Sequence, residues 1–231
     1  MLNYLTCYES DAPKIRVGSP EGDGGYIICD NIGVYDAIVS GGISSNTSFE
    51  NNMIELTNAP CYAYDHTINK LPRDSHKDIT WFKKAVGKIN TENESNFDTH
   101  FDQYNDIFLK LDIEGCEFAF FQQLTDLNLL KIKQMVVEFH HPWKHVHLFE
   151  KISKSHYLLH LHVNNSSKLG TFNGVSVPGV FETTFVRKSE LNLYNVRLNT
   201  FKIPSNLDRK NHSRFEEVKI DWPPFVWPQR R

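Results

Sequence analysis

Phe108-Leu109-Lys110-Leu111-Asp112-Ile113-Glu114-Gly115-Cys116-Glu117 joins a strand-length apolar run to a cluster of acids. Strand alternation places Lys110 and Asp112 on one face and Leu109 and Leu111 on the other. Gly115 ends the run, and Phe118, Phe121 and Leu124 follow at helical spacing, so the segment reads as strand, turn and helix. Asp112, Glu114 and Glu117 crowd three carboxylates at the end of that strand, which is costly unless a cation or a proton is shared. Glu114 and Glu117 also suit the N-terminus of the following helix.

The same rhythm extends in both directions. Strands are expected at Tyr35–Ser40, Cys61–Tyr64, Ile79–Val86, Ile107–Leu111, Met135–Phe139, Tyr157–Val163 and Phe181–Val186. Helices are expected over Thr47–Leu56, with Ser45 or Asn46 as N-cap, and around His145–Ser155. Seven strands separated mostly by helices imply an α/β domain with a doubly wound, mainly parallel sheet over residues 1–188. From Ser189 the rhythm is lost. Residues 189–231 are expected to form a C-terminal extension, because Trp222-Pro223-Pro224-Phe225-Val226-Trp227-Pro228 is too proline-rich for helix or sheet interior. It should pack over the domain or make a homo-oligomer contact.

Composition narrows the function classes. The chain has 231 residues with 28 acidic and 25 basic side chains, so no basic excess points to nucleic acid or an anionic membrane. No stretch approaches the roughly 20 apolar residues of a membrane span. Residues 1–30 carry Glu9, Asp11, Pro13 and Asp23 where a signal peptide needs an apolar run. Cys7, Cys29, Cys61 and Cys116 are too scattered for a metal or disulfide framework, so reduced thiols in a cytoplasmic protein are expected.

In an open parallel sheet, ligands bind beyond the carboxyl ends of the strands, where strand order reverses. The first strand ends in Ser40-Gly41-Gly42, whose small residues admit close backbone approach. The second ends in Asp65, a carboxylate positioned for the hydroxyls of a ribose. Gly22-Asp23-Gly24-Gly25-Tyr26 upstream is either a hairpin turn or the floor of the same ligand site. The spacing is not that of a dinucleotide fingerprint, which disfavours a nucleotide-dependent oxidoreductase.

With these pieces in place, the sequence resembles the FkbM-type family of S-adenosylmethionine-dependent O-methyltransferases. The resemblance rests on LKLDIEGCE (109–117), with GDGGY (22–26), SGGISSNTSFE (40–50), YAYDHT (62–67), VVEFHH (136–141) and HLHVNN (160–165) in support. It implies a class I methyltransferase (Rossmann-like) fold of seven strands, the last antiparallel, and a hydroxyl acceptor on a small molecule, sugar or glycan. The short Asn/Lys/Ile-rich chain is also similar in style to glycan-modifying methyltransferases of large DNA viruses, for which the compartment would be the host cytoplasm. Ser40 stands where the family's first glycine motif often has an acid. That leaves Asp112 or the Asp23 loop (with Gly24 and Gly25) to meet the methionine part of the cofactor, beside Gly41, Gly42 and Asp65.

Methyl transfer requires an aligned hydroxyl whose proton is removed or polarised. Seven of the eleven histidines fall between His140 and His162. Glu138 with His140, and His160 with His162, alternate onto one face at strand ends, and an antiparallel last strand would bring Glu182 to the same rim. His140 or His162 is expected as base with Glu138 orienting it and Asp112 beside the methyl group. Asp112, Glu138 and His162 could instead hold Mg²⁺ or Mn²⁺, which suit oxygen-rich sites. His160 could equally be a core histidine. His141, His145 and His147 are expected to face solvent, and His156 to end a helix. A degenerate binding module of the same fold is the non-enzymatic alternative, disfavoured by carboxylates at both ligand positions.

Overall fold

The computed structural model describes residues 3–229; positions 1–2 and 230–231 of the two expected segments lie outside the described residues. In chain order the central elements are β1 (Ala37–Gly41), α1 (Ser48–Thr57), β2 (Cys61–Tyr64), β3 (Ile79–Phe82), α2 (Asp98–Gln103), β4 (Ile107–Leu111), α3 (Glu117–Gln123), α4 (Asp126–Lys131), β5 (Ile132–His140), α5 (Val146–Ser155), β6 (His156–Val163) and β7 (Val180–Arg187). They form one seven-stranded sheet in the order β6-β7-β5-β4-β1-β2-β3. Strands β1 to β5 pair in parallel. β7 runs antiparallel to both β5 and β6. This is the expected class I methyltransferase fold, with the strand order reversing between β1 and β4.

The two faces of the sheet are covered differently. Leu109, Leu111, Met135, Val137, Phe139, Phe181 and Phe185 belong to the cluster that α3 and α5 cover through Phe118, Phe121, Phe149 and Ile152, all buried. On the other face lie α1 and a hairpin of Lys14–Gly18 with Gly25–Cys29. Gln134, buried in β5, pins that hairpin. Its Oε1 accepts the Cys29 N–H at 2.7 Å, and its Nε2 donates to the Cys29 carbonyl at 3.0 Å. Every polar atom of this amide finds a partner, so its burial carries no desolvation cost left open. The pairing hangs the hairpin turn, which contains Asp23 and Gly24, over the strand ends.

Three local expectations change. Strand β3 stops at Phe82 instead of Val86, because the Lys84 N–H turns back to the Phe82 carbonyl at 2.8 Å. Ala85–Val86 then pairs with Glu94–Ser95 in a separate small ladder. α1 begins one residue later than read, at Ser48, with Asn46 Oδ1 accepting the Ser48 N–H at 2.9 Å and Thr47 at the cap position. β1 starts at Ala37, two residues after Tyr35, whose hydroxyl takes a hydrogen bond from Gln134 Nε2.

The C-terminal segment folds back on the domain. The Cys7 N–H donates to the Pro224 carbonyl, Trp227 N–H to Asn199, and Trp222 Nε1 to Ser176. Ile203 and Ile220 form an antiparallel bridge, and Ile220 and Phe225 are fully buried. The tail thus contributes core apolar surface although it has no regular periodicity. All four cysteines are free thiols. Among the described residues, no helix is long and apolar enough to cross a membrane.

Candidate functional site

At the switch point between β1 and β4 the chain leaves a cavity of about 440 Å³, lined among others by Asp23, Gly42, Asp65 and Asp112. This volume lies in the range of small-molecule sites. The turn after β1 needs glycine for its own packing. Gly42 has φ +80°, and a Cβ there would meet the Asp112 carbonyl at 1.7 Å. A Cβ on Gly41 would meet Val86 and Leu111 within 3.0 Å. These two glycines therefore bring β1 and β4 close together at the cavity wall. Gly24 and Gly25 shape the hairpin. A Cβ on Gly25 would strike the Ser19 carbonyl at 2.3 Å, and one on Gly24 would strike the Asn46 amide at 2.6 Å.

Asp65 holds that turn from the end of β2. Its Oδ2 accepts the N–H groups of Ile43 and Ser44 at 3.1 and 2.7 Å, and its Oδ1 accepts the N–H and hydroxyl of Thr67. Burial pushes the Asp65 carboxyl up, but these four donors outweigh it and hold the group below its ordinary range. A carboxylate has about four lone-pair positions, and all are taken. Asp65 can reach a ribose only by releasing the Thr67 hydroxyl.

Asp112 lies just past β4, where its carboxylate accepts the Tyr26 hydroxyl at 3.1 Å. Burial raises its pKa to about 6; the Lys110 ammonium opposes this, while Asp23 adds to it. Glu138, near the end of β5, is 4% exposed and accepts the Asn164 amide at 2.9 Å. Its pKa is raised well above the usual carboxylate range by burial, reinforced by Asp112 and Glu182. Asp23, Glu138 and Glu182 each bring an oxygen within 4.8 Å of the others. Such crowding needs shared protons or a cation.

Sheet register decides how the remaining candidates meet. Glu138 pairs across to Glu182 and Glu182 across to His162, so Glu182 stands between Glu138 and His162. His162 is 1% exposed, with Nδ1 at 3.2 Å from Glu182 and Nε2 at 3.3 Å from Glu217 of the tail. Both ring nitrogens are occupied. The oxygens that converge are those of Asp23, Glu138 and Glu182, in place of the expected trio Asp112, Glu138 and His162. Glu138 orients neither histidine. His140 instead lies against the motif acids, its Nδ1 at 3.2 Å from Glu117 and its Nε2 at 3.4 Å from Glu114. Burial lowers the His140 pKa, but Glu117 and Glu114 outweigh it and raise it.

The other histidines sort by contact. His160 is buried with Nε2 at 2.8 Å from Asp208. His156 joins Ser155 to the Ile132 carbonyl, and burial lowers its pKa to about 4, so it is a neutral core group. His141 and His147 are exposed, whereas His145 is half-buried and stacks on Phe118 at 4.1 Å. Pattern reading did not reach Tyr26 as the Asp112 partner, nor Glu50, Asp208, Asn211 and Glu217. Asn211 donates to Glu182 at 2.6 Å. The tail residues lie in an aperiodic segment with no local signal, and only the fold brings them to the sheet.

His162 ties stability to pH. Burial lowers its pKa, but Glu182, Asp208 and Glu217 outweigh that and raise it from 6.5 to about 9. Its contribution is complete below about pH 6.5 and is lost as pH rises through about 9. Urea unfolding should show a loss of about 3 kcal/mol across that window, and His162→Gln should flatten it. An unchanged slope in the variant would exclude His162 as its source.

Residues 87–159 match the family model described as Methyltransferase FkbM domain. The match contains β4, the LDIEG turn, β5 and the start of β6. None of the curated proteins matches the sequence. Among solved structures the chain is similar to a candidate hemolysin from Streptococcus thermophilus, 14% identical with TM-score 0.38, over 68% of this chain and 61% of that one. It is also similar to a precorrin-6y C5,15-methyltransferase from Geobacter metallireducens GS-15, 11% identical with TM-score 0.39, over 67% of this chain and 81% of that one. The chain thus spans about three fifths of the length of the Streptococcus protein.

Proposed function

We propose that this chain is an S-adenosylmethionine-dependent O-methyltransferase whose acceptor is a carbohydrate hydroxyl. The observation that carries the reading is the cavity at the switch point, with Gly42 and Asp65 on one side and the half-buried Asp112 of the LDIEG turn on the other. When bound, the cofactor supplies a methyl group on a sulfonium. Asp65 holds the Gly42–Ser44 turn against the cleft and meets the ribose on releasing Thr67. Asp112, with a pKa near 6, is ionised at neutral pH and sits where it can accept a hydroxyl proton. Tyr26 orients it. Glu138 lies in the same polar row and is held by Asn164, while the His162–Glu182 pair fixes the row from the far side. Hydroxyl-rich acceptors suit a rim that offers carboxylates and amides together.

The convergence of Asp23, Glu138 and Glu182 favours a second way of activating the hydroxyl. These three carboxylates fit a hard divalent cation such as Mg²⁺ or Mn²⁺, which would lower the hydroxyl pKa.

Thermal melting with S-adenosylhomocysteine tests the first reading. At 100 times its dissociation constant it should stabilise the chain by about 2.7 kcal/mol, a rise of roughly 5–10 °C for a chain of this size. NAD should leave the melt unchanged, and no shift with the homocysteine compound would sink the proposal. Added Mn²⁺ should raise the melting temperature and EDTA reverse it; superimposable curves would count against the cation.

A further inference from the structure

A second cavity, of about 510 Å³, lies at the β6 edge of the sheet, beside the bridge between Cys7 and Leu158. Its walls come from three distant parts of the chain: the N-terminal strand Tyr8–Ser10, the middle of β6, and the tail from Arg197 to Leu207. It shares no lining residue with the cleft at Asp112.

Its polar lining is incompletely matched. Glu9 is 6% exposed, and its Oε1 accepts from Arg197 at 3.0 Å and Thr200 at 3.3 Å. Its Oε2 is buried with no hydrogen-bond partner, and so is the Ser10 hydroxyl oxygen beside it in sequence. Buried polar atoms are rarely left unpaired, and such exceptions mark places where a further group belongs. Arg197 is matched by Glu9 and Asp11. Lys14, whose ammonium donates to the Leu159 carbonyl, and Lys202 line the same cavity, and among the described residues neither ammonium lies within ion-pair distance of a carboxylate. Phe201, 63% exposed, adds an aromatic face, and Ile203 an apolar one.

We infer that this cavity binds a hydroxylated anion, a sugar unit carrying a carboxylate or phosphate group. A sugar hydroxyl both donates and accepts, so one ring supplies the donor that Glu9 Oε2 lacks and a partner for Ser10. Its anionic group pairs with Lys14 and Lys202, and the apolar side of its ring lies on Phe201. Inorganic phosphate brings at most one or two P–OH donors and no ring to lie on Phe201. A neutral sugar leaves both lysines without a counter-charge. The assignment does not rest on methyl transfer, because the cavity can hold such a ligand whatever reaction the cleft performs.

Calorimetric titration of the full chain, without cofactor, tests this with glucuronate, glucose 6-phosphate, glucose and inorganic phosphate. At least one anionic sugar should bind saturably, at least about tenfold more tightly than glucose or phosphate, and more weakly as salt rises. Binding by glucuronate alone identifies the anionic group as a carboxylate, and by the phosphate sugar alone as a phosphate. Lys202→Glu, at an exposed position that leaves the fold intact, should weaken binding about tenfold or more. Glu9→Gln, checked by circular dichroism, should do the same. Absence of saturable binding by both anionic sugars, phosphate binding as tight as theirs, or undiminished affinity in Lys202→Glu overturns the assignment. None of these outcomes touches the homocysteine melt, so the two readings can fail separately.

Discussion

Under the proposed function, Asp112→Asn is expected to lower methyl transfer by about 10²–10⁴-fold, while the melting temperature of the variant stays within a few degrees of the parent. The size follows from the usual contribution of a positioned base. Asparagine keeps the volume of the side chain and can still accept the Tyr26 hydroxyl, so the 3.1 Å contact survives. What is lost is the carboxylate that takes a proton. Removal of a half-buried charge whose pKa is raised to about 6 also relieves the desolvation that raises it, which keeps the fold intact. The parent should show kcat/KM rising through about pH 6 as Asp112 ionises, and the variant should lack that limb. Turnover within threefold of the parent would remove Asp112 from the chemistry. Tyr26→Phe separates positioning from proton transfer: it should cost less than Asp112→Asn and shift the pH limb without abolishing it.

Lys110→Met destabilises the chain by about 3–5 kcal/mol in urea unfolding, the largest stability effect expected of a single substitution here. The Lys110 ammonium is 5% exposed and faces a Glu50 side chain with no exposure, 3.5 Å away. It also donates to the Gly42 carbonyl at 2.6 Å, tying β4 to the turn after β1. Among the described residues Glu50 has only the Ser40 hydroxyl, at 2.5 Å, as another partner, and its Oε2 is already buried without one. Methionine fills the space but strands that charge. Lys110→Met with Glu50→Gln should recover much of the loss, since the uncompensated carboxylate is then gone. A loss below 1 kcal/mol in the single variant would contradict a buried ion pair at this position. The same ammonium holds the Asp112 pKa down, so Lys110→Met should also move the activity limb to higher pH.

The sheet histidines illustrate what pattern can and cannot convey. Alternation along a strand put Glu138 and His140, or His160 and His162, on one face, and the structure keeps them there. Which groups touch depends on register between strands, and β7 inserts Glu182 between Glu138 and His162. Once β7 is taken as antiparallel, Glu182 can be placed at that rim, but its partner cannot.

The local sequence determined the strands, the glycine turn at 41–42 and the acid-rich end of β4, because burial periodicity and backbone sterics act over a few residues. The seven strands and the match over residues 87–159 belong to that legible half, and the antiparallel last strand came with the family resemblance. Tertiary structure alone decided that Asp65 saturates its oxygens on the turn, that Asp23 reaches Glu138 and Glu182, and that tail residues Asp208 and Glu217 secure His160 and His162. Apart from the local Asp65–Thr67 bonds, these hydrogen bonds and charge pairs depend on distances of a few ångströms between residues 21 to 159 positions apart. No spacing along the chain encodes those distances; the packing of hairpin, sheet and tail sets them.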